Sequence, residues 1–137
     1  VNWTLEVVVV PVSDVDRAKA FYTDQVGFGL DHDSRFSDDL RVVQLTPPGS
    51  GCSIVIGKGL VEMPPGSLQG LQLVVNDVGA ARAELLERGV EASEVQVAGP
   101  EGFRPVREGD ALDNVGFCFF ADPDGNRWAV QQISSRD

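Results

Sequence analysis

The stretches VSDVDRAKAF (residues 12–21) and VNDVGAARAE (residues 75–84) share Val12/Val75, Asp14/Asp77, Val15/Val78, Ala18/Ala81 and Ala20/Ala83 at one constant offset. This self-similarity constrains the fold more than any single motif, because each half must build the same unit and bury the same face. Each copy opens with an apolar run, LEVVVVPV or LQGLQLVV, that reads as a strand. Next come Ser13/Asp14 or Asn76/Asp77, whose side-chain oxygens can cap the free amides of a helix start. A helix follows in each, with Val15, Ala18 and Tyr22 on one face of the first and Val78, Ala81 and Leu85 on one face of the second. Gly27 and Gly89 are placed to stop these helices in a left-handed turn.

Beyond the helices lie GLDHDSRF, LRVVQLT and CSIVIG in the first half, and ASEVQVA, VGFCFFA and RWAVQQI in the second; all read as strands. TPPGSG and DPDGN supply turns between them. The order is strand, helix and three strands, stated twice: a first βαβββ module over 1–57, a linker over 58–67 and a second module over 68–134. The 137 residues, 42% of them hydrophobic, suffice for the core of one such domain. The stretch 99–114, charged and glycine-rich without periodicity, is expected to be a long loop and a candidate lid.

Lys and Arg number 11 against 21 Asp and Glu, a net charge of -10, so the surface field disfavours nucleic acid and anionic lipid and favours cationic small molecules. No apolar run reaches the roughly 18 residues of a membrane span, and no secretory leader is evident, so a cytoplasmic protein with no membrane partner is expected. Cys52 and Cys118 match neither a zinc motif nor a disulfide framework and are read as reduced residues filling space.

Two segments, VPVSDVDRAKAFY and FFADPDGNRWAV, carry a resemblance that runs nearly end to end. The chain resembles the vicinal oxygen chelate superfamily, which includes glyoxalase I, bleomycin-resistance and fosfomycin-resistance proteins and extradiol dioxygenases. The resemblance implies an α+β fold, with two tandem βαβββ modules forming a curled mixed β-sheet around a shared cavity, and a homodimer. In metal-dependent members similar to glyoxalase I, a His near the start of each module and a carboxylate on a late strand of each bind the ion. The matching positions here are Val7, Gln44, Gly70 and Ala129. Val, Gly and Ala offer no side-chain donor and a neutral Gln is a poor one, so neither a metal nor another cofactor is expected. The only histidine, His32, sits between Asp31 and Asp33, and strict alternation would turn both carboxylates to the opposite face. It is read as a solvated surface residue.

Alternation also extends the lining. With Val7 go Leu5 and Val9; with Gln44 go Val42 and Thr46; with Gly70 go Gln72 and Val74; with Ala129 goes Gln131. The candidate ligand-binding set is therefore Val7, Val9, Gln44, Thr46, Gly70, Gln72, Ala129 and Gln131, an apolar surface with a few neutral amides. No general base faces it, and no catalytic residue can be named. Tyr22 is expected in the core with its hydroxyl at the surface, Trp128 in the sheet or an interface, and Phe117, Phe119 and Phe120 divided between core and cavity. The expected function is binding or sequestration of a small organic molecule, cationic or aromatic. A superfamily enzyme (lyase, isomerase or dioxygenase) with an atypical or metal-free site, and a non-catalytic partner subunit, remain as alternatives.

Overall fold

The computed structural model describes residues 1–136. It is an α+β protein with two sheets and two short helices. The chain divides into two compact units: Val1–Leu68 together with Asp122–Asn126, and Gln69–Ala121 together with the residues from Arg127 onward.

In the first unit β1 (Val7–Val9) leads into α1 (Val15–Ala20), which widens into a π-helical turn over Phe21–Gln25. Three strands follow: β2 (Gly29–Ser37), β3 (Leu40–Thr46) and β4 (Ser53–Lys58). The sheet order is β1-β4-β3-β2, with β1 parallel to β4 and the other pairs antiparallel. The Asp14 carboxylate caps α1 by accepting from the Arg17 amide at 3.0 Å, which relieves one of the free donors of the first turn. Gly27, at φ 90°, ends the helical segment in the left-handed conformation the sequence called for. One side of the sheet faces α1 and buries Val10, Val43, Leu45, Ile54 and Ile56 with Ala18, Phe21 and Tyr22. Here period-2 alternation in the strands meets the apolar face of the helix. Leu5 is exposed and precedes β1, so the expected inward stripe begins only at Val7.

The second unit runs β5 (Leu71–Val75), α2 (Val78–Glu87), β6 (Gln96–Gly99), β7 (Gly102–Pro105), β8 (Gly116–Ala121) and β9 (Arg127–Gln132), in sheet order β5-β9-β8-β6-β7. Asp77 caps α2 through the Ala80 amide, as Asp14 does for α1. The helix side buries Cys118, Phe120, Trp128 and Val130 with Val78 and Leu85. The Phe120 and Trp128 rings stack at 5.9 Å and 2°. The Cys118 thiol is free, and burial pushes its pKa up; Cys52 is free as well.

Two expectations are corrected. The stretch 99–114 is not all loop: β7 lies inside it and pairs antiparallel with β6, across a turn in which Gly102 takes φ 102°. Past β7, Arg104 grips Asp110 with two parallel bonds of 2.8 and 2.9 Å, which tie this segment down. The second unit thus carries one strand more than βαβββ. The hydroxyl of Tyr22 is not at the surface either. Tyr22 is wholly buried and donates to Asp122 Oδ2 at 2.7 Å, so the phenol is satisfied inside.

DPDGN forms a tight turn whose contacts place Asp122–Asn126 in the first unit. Asp122 Oδ1 accepts from the backbone amides of Asp124, Gly125 and Asn126. The fully buried Asn126 donates from Nδ2 to the Pro11 carbonyl and to Asp122 Oδ2, both at 2.8 Å, and accepts from the Leu68 amide at 3.1 Å. Asp124 accepts from the Ser13 amide and hydroxyl. The carboxylates of this turn are thus engaged by backbone and side-chain donors of the protein itself.

Candidate functional site

Each sheet has a second face that carries no helix, and the eight candidate residues fall on these faces or beside them. In the first unit the register sets Val7 beside Ser53, and Val9 beside Val55, Gln44 and His32 in a row across four strands. Thr46, two residues beyond Gln44, shares their side, and its Oγ1 lies 2.6 Å from Ser53 Oγ. Val7, Val9, Gln44 and Thr46 thus lie on one face and are all partly exposed. An indentation of ≈ 310 Å³ in this unit lies elsewhere, between the end of β1 and the 58–65 segment, and of the eight residues only Val9 lines it.

In the second unit Gln72 and Ala129 pair across β5 and β9, and Gln131 follows on the same face. Gln72 Nε2 donates to Gln131 Oε1, whose own Nε2 donates to the Asn114 carbonyl at 2.8 Å. Phe117 stands opposite Gln131, and Phe119 opposite Ala129. Their rings lie parallel within 7° at 6.2 Å, and Phe103 from β7 meets both edge-on at 5.3 and 5.1 Å. Such edge-to-face contacts are the favoured geometry for aromatic quadrupoles. Phe103 is nonetheless 50% exposed. Beside this cluster a recess of ≈ 390 Å³ is lined by Gly70, Phe119, Phe120, Arg127, Trp128 and Ala129, among others. Gly70 has φ 90°, and a Cβ there would meet nothing within 4 Å, so the chain leaves space at this point. Phe120 belongs to the helix-side core, which separates it from Phe117 and Phe119 by strand parity.

Sequence reasoning missed Phe103, because β7 was read as loop. The signal was present in QVAGPEGFRP, a glycine-proline turn between two short runs. It also missed the position of Asp31. Leu30 pairs with Leu45 and His32 with Gln44, so Asp31 is an extra residue in a β-bulge and alternation breaks there. Its carboxylate accepts from Thr46 Oγ1, on the face that also holds His32, not the opposite one. Asp33 does face the helix side. There Arg41 and then Lys19 hydrogen-bond it and hold its carboxyl well below the usual carboxylate range, while Asp33 and Asp16 raise the guanidinium of Arg41.

The sequence profile of the Glyoxalase/Bleomycin resistance protein/Dioxygenase superfamily matches residues 4–130. The chain belongs to this superfamily. Among solved superfamily structures, TnmS3, an antibiotic binding protein from Streptomyces sp. CB03234, is 36% identical, with 97% of this chain and 98% of that one covered and a TM-score of 0.75. A glyoxalase/bleomycin resistance protein from the same organism is also 36% identical, with 94% and 100% covered and a TM-score of 0.72. A superfamily member from Sphaerobacter thermophilus DSM 20745 is 26% identical, with 96% and 98% covered and a TM-score of 0.75. No curated protein matches the sequence significantly. No group of three His, Cys, Asp or Glu able to hold a metal ion occurs among the described residues, and the resemblance to metal-dependent members matches their four ligand positions to Val7, Gln44, Gly70 and Ala129. No helix among these residues is long and apolar enough to cross a membrane.

Proposed function

We propose that this superfamily member binds and sequesters a small organic molecule, and that a flat apolar part of it rests on the helix-free face of the five-stranded sheet. The observation that carries this is the aromatic cluster of Phe103, Phe117 and Phe119, left half-covered beside a recess of ≈ 390 Å³. Apolar surface on that scale is costly unless something covers it part of the time, and the volume is that of ordinary ligand sites. Gln72 and Gln131 add amide dipoles at the border, suited to orienting a ligand rather than to transferring protons. Gly70, Ala129 and Phe119 line the recess, and Val7, Val9, Gln44 and Thr46 are proposed as a separate ligand surface on the first unit. The 36% identity to a protein described as antibiotic binding supports the same reading.

The test is a fluorescence titration of the full chain with 9-anthracenemethanol, a neutral planar probe, alongside its melting temperature. Saturable binding and a raised melting temperature are expected, and Phe119→Ala should weaken binding about tenfold, the equivalent of one lost ring contact with its buried area. A titration without saturation, or a Phe119→Ala protein that binds as well as the parent, would overturn this function. A homodimer is part of the same proposal: β1 is an edge strand, and the preceding Trp3 and Leu5 are exposed, an arrangement that a second copy commonly covers. Sedimentation at micromolar concentration should show a species near twice 14.7 kDa.

A further inference from the structure

The helix-free face of the four-stranded sheet holds a polar relay that the aromatic site does not use. Thr46 Oγ1 donates to Asp31 Oδ2 and lies 2.6 Å from Ser53 Oγ. A hydroxyl has one proton. Since that of Thr46 goes to the carboxylate, the Ser53 hydroxyl must donate to Thr46, and the chain of protons runs from Ser53 through Thr46 to Asp31. Both donors are consumed. What the group presents outward is acceptors alone: the second carboxylate oxygen of Asp31 and the lone pairs of Ser53.

This carboxylate differs from its neighbour. Asp33 is occupied by Arg41 and Lys19, whereas Asp31 has no ion-pair partner among the described residues. Ser53 is 93% withdrawn from solvent, being 7% exposed, so its oxygen is set at the base of the group rather than on a mobile surface chain. The bulge explains how this arises: without the extra residue, Asp31 would turn to the helix side beside Asp33. One cross-strand row further stand Gln44, whose amide makes no hydrogen bond in the structure, and the apolar Val55 and Val9; Val7 flanks Ser53.

We propose that Asp31, Thr46 and Ser53 form a binding subsite for a primary ammonium group carried on an apolar body. An ammonium has three donors, no acceptor and one positive charge, the complement of a group that offers only acceptors and one negative charge. Its alkyl or ring portion would lie over Val7, Val9 and Val55, with Gln44 free to turn its carbonyl oxygen inward. The net charge of -10 assists encounter with such a cation. This deepens the small-molecule function proposed above, since it assigns a basic group to a molecule bound on the first unit, and it rests on that function.

The experiment is an amide chemical-shift titration of the full chain with n-butylammonium chloride at constant chloride and ionic strength, with 1-butanol and sodium chloride as separate controls. Saturable shifts centred on Asp31, His32, Thr46 and Ser53 are expected, with neither control reproducing them. Asp31→Asn, isosteric and at an exposed edge strand, should weaken binding at least tenfold. Thr46→Val, which removes the proton that orients the carboxylate, should weaken it several-fold and serves if the first variant folds poorly. Non-saturating shifts, shifts reproduced by butanol or sodium, or an Asp31→Asn protein of unchanged affinity would overturn the subsite. 9-Anthracenemethanol is titrated into the parent protein in parallel: saturation by it and not by butylammonium overturns the subsite alone, and saturation by butylammonium alone overturns only the aromatic surface. Failure of one titration therefore leaves the other site standing.

Discussion

Replacing Asn126 by Ala should be among the most damaging single changes available outside the apolar core. The side chain is fully buried and makes three hydrogen bonds. Asp122 would survive the loss, because it keeps three backbone amides and the Tyr22 hydroxyl. The Pro11 carbonyl keeps the Gly66 amide at 3.1 Å, but the Leu68 amide loses its side-chain partner, and an unsatisfied buried group costs about 1–3 kcal/mol. That group, together with the two donated bonds lost, gives a loss of about 2–3 kcal/mol, a sizeable share of the roughly 5–15 kcal/mol of a typical domain. Urea unfolding followed by circular dichroism at 25 °C is the assay. At a slope of roughly 2 kcal/mol per M, the midpoint should fall by about 1–1.5 M. Ser13→Ala is the matched control, since it removes only the exposed hydroxyl bond to Asp124 and should cost less than about 1 kcal/mol. An Asn126→Ala midpoint within about 0.5 M of the parent would refute the reasoning, because it would mean that the Leu68 amide finds water at no cost.

Gly57→Ala should fail to give stable protein, because its Cβ would lie 2.0 Å from the Arg41 carbonyl oxygen; Gly70→Ala meets nothing and should lose only about 1–2 kcal/mol for its positive φ, both read by soluble yield and urea midpoint. Acid should destabilise the first unit through Asp33. Its carboxyl is held lower in the folded than in the unfolded state, so its contribution is complete above the unfolded value of about 4 and is lost as the pH falls below that toward the folded value. Arg41→Met should flatten the fall of the urea midpoint below about pH 4, and an unchanged profile would count against the pairing. Elemental analysis of protein purified without chelator should find no stoichiometric transition metal, given Val7, Gln44, Gly70 and Ala129 at the four ligand positions; one equivalent would reveal an overlooked donor set.

Much of the fold was legible because it rests on local rules repeated twice. Asp14 and Asp77 both cap helices, Gly27 and Gly89 both take positive φ, and alternation put Val43 and Leu45 on one side of β3 and Gln44 and Thr46 on the other. The same parity brought Gln72, Ala129 and Gln131 to one face of the second sheet. Long-range polar pairings were not legible. Tyr22 and Asp122 are a hundred positions apart, and no local rule links a helix tyrosine to a hairpin carboxylate. The β7 strand escaped because it is four residues long and sits in a stretch whose charges and glycines mimic a loop.

The bulge at Asp31 marks where alternation ceases to be a guide. In LDHDSRF, parity places Asp31 with Asp33 and isolates His32, which leaves an ordinary charged edge strand. One inserted residue separates Asp31 from Asp33 and brings it to the face of His32. The two aspartates then do different things: Asp33 is paired with Arg41 and Lys19 against the helix, while Asp31 accepts from Thr46 on the face of Val7 and Gln44. That face is thereby left with one oriented carboxylate bordered by valines. In the proposed function such a surface would discriminate among organic molecules by charge and apolar shape. Chemistry on a bound molecule would need a proton donor or acceptor placed against it. In the relay the Ser53 hydroxyl donates to Thr46 and the Thr46 hydroxyl to Asp31, so both protons are already committed and the group is suited to holding a cation in place.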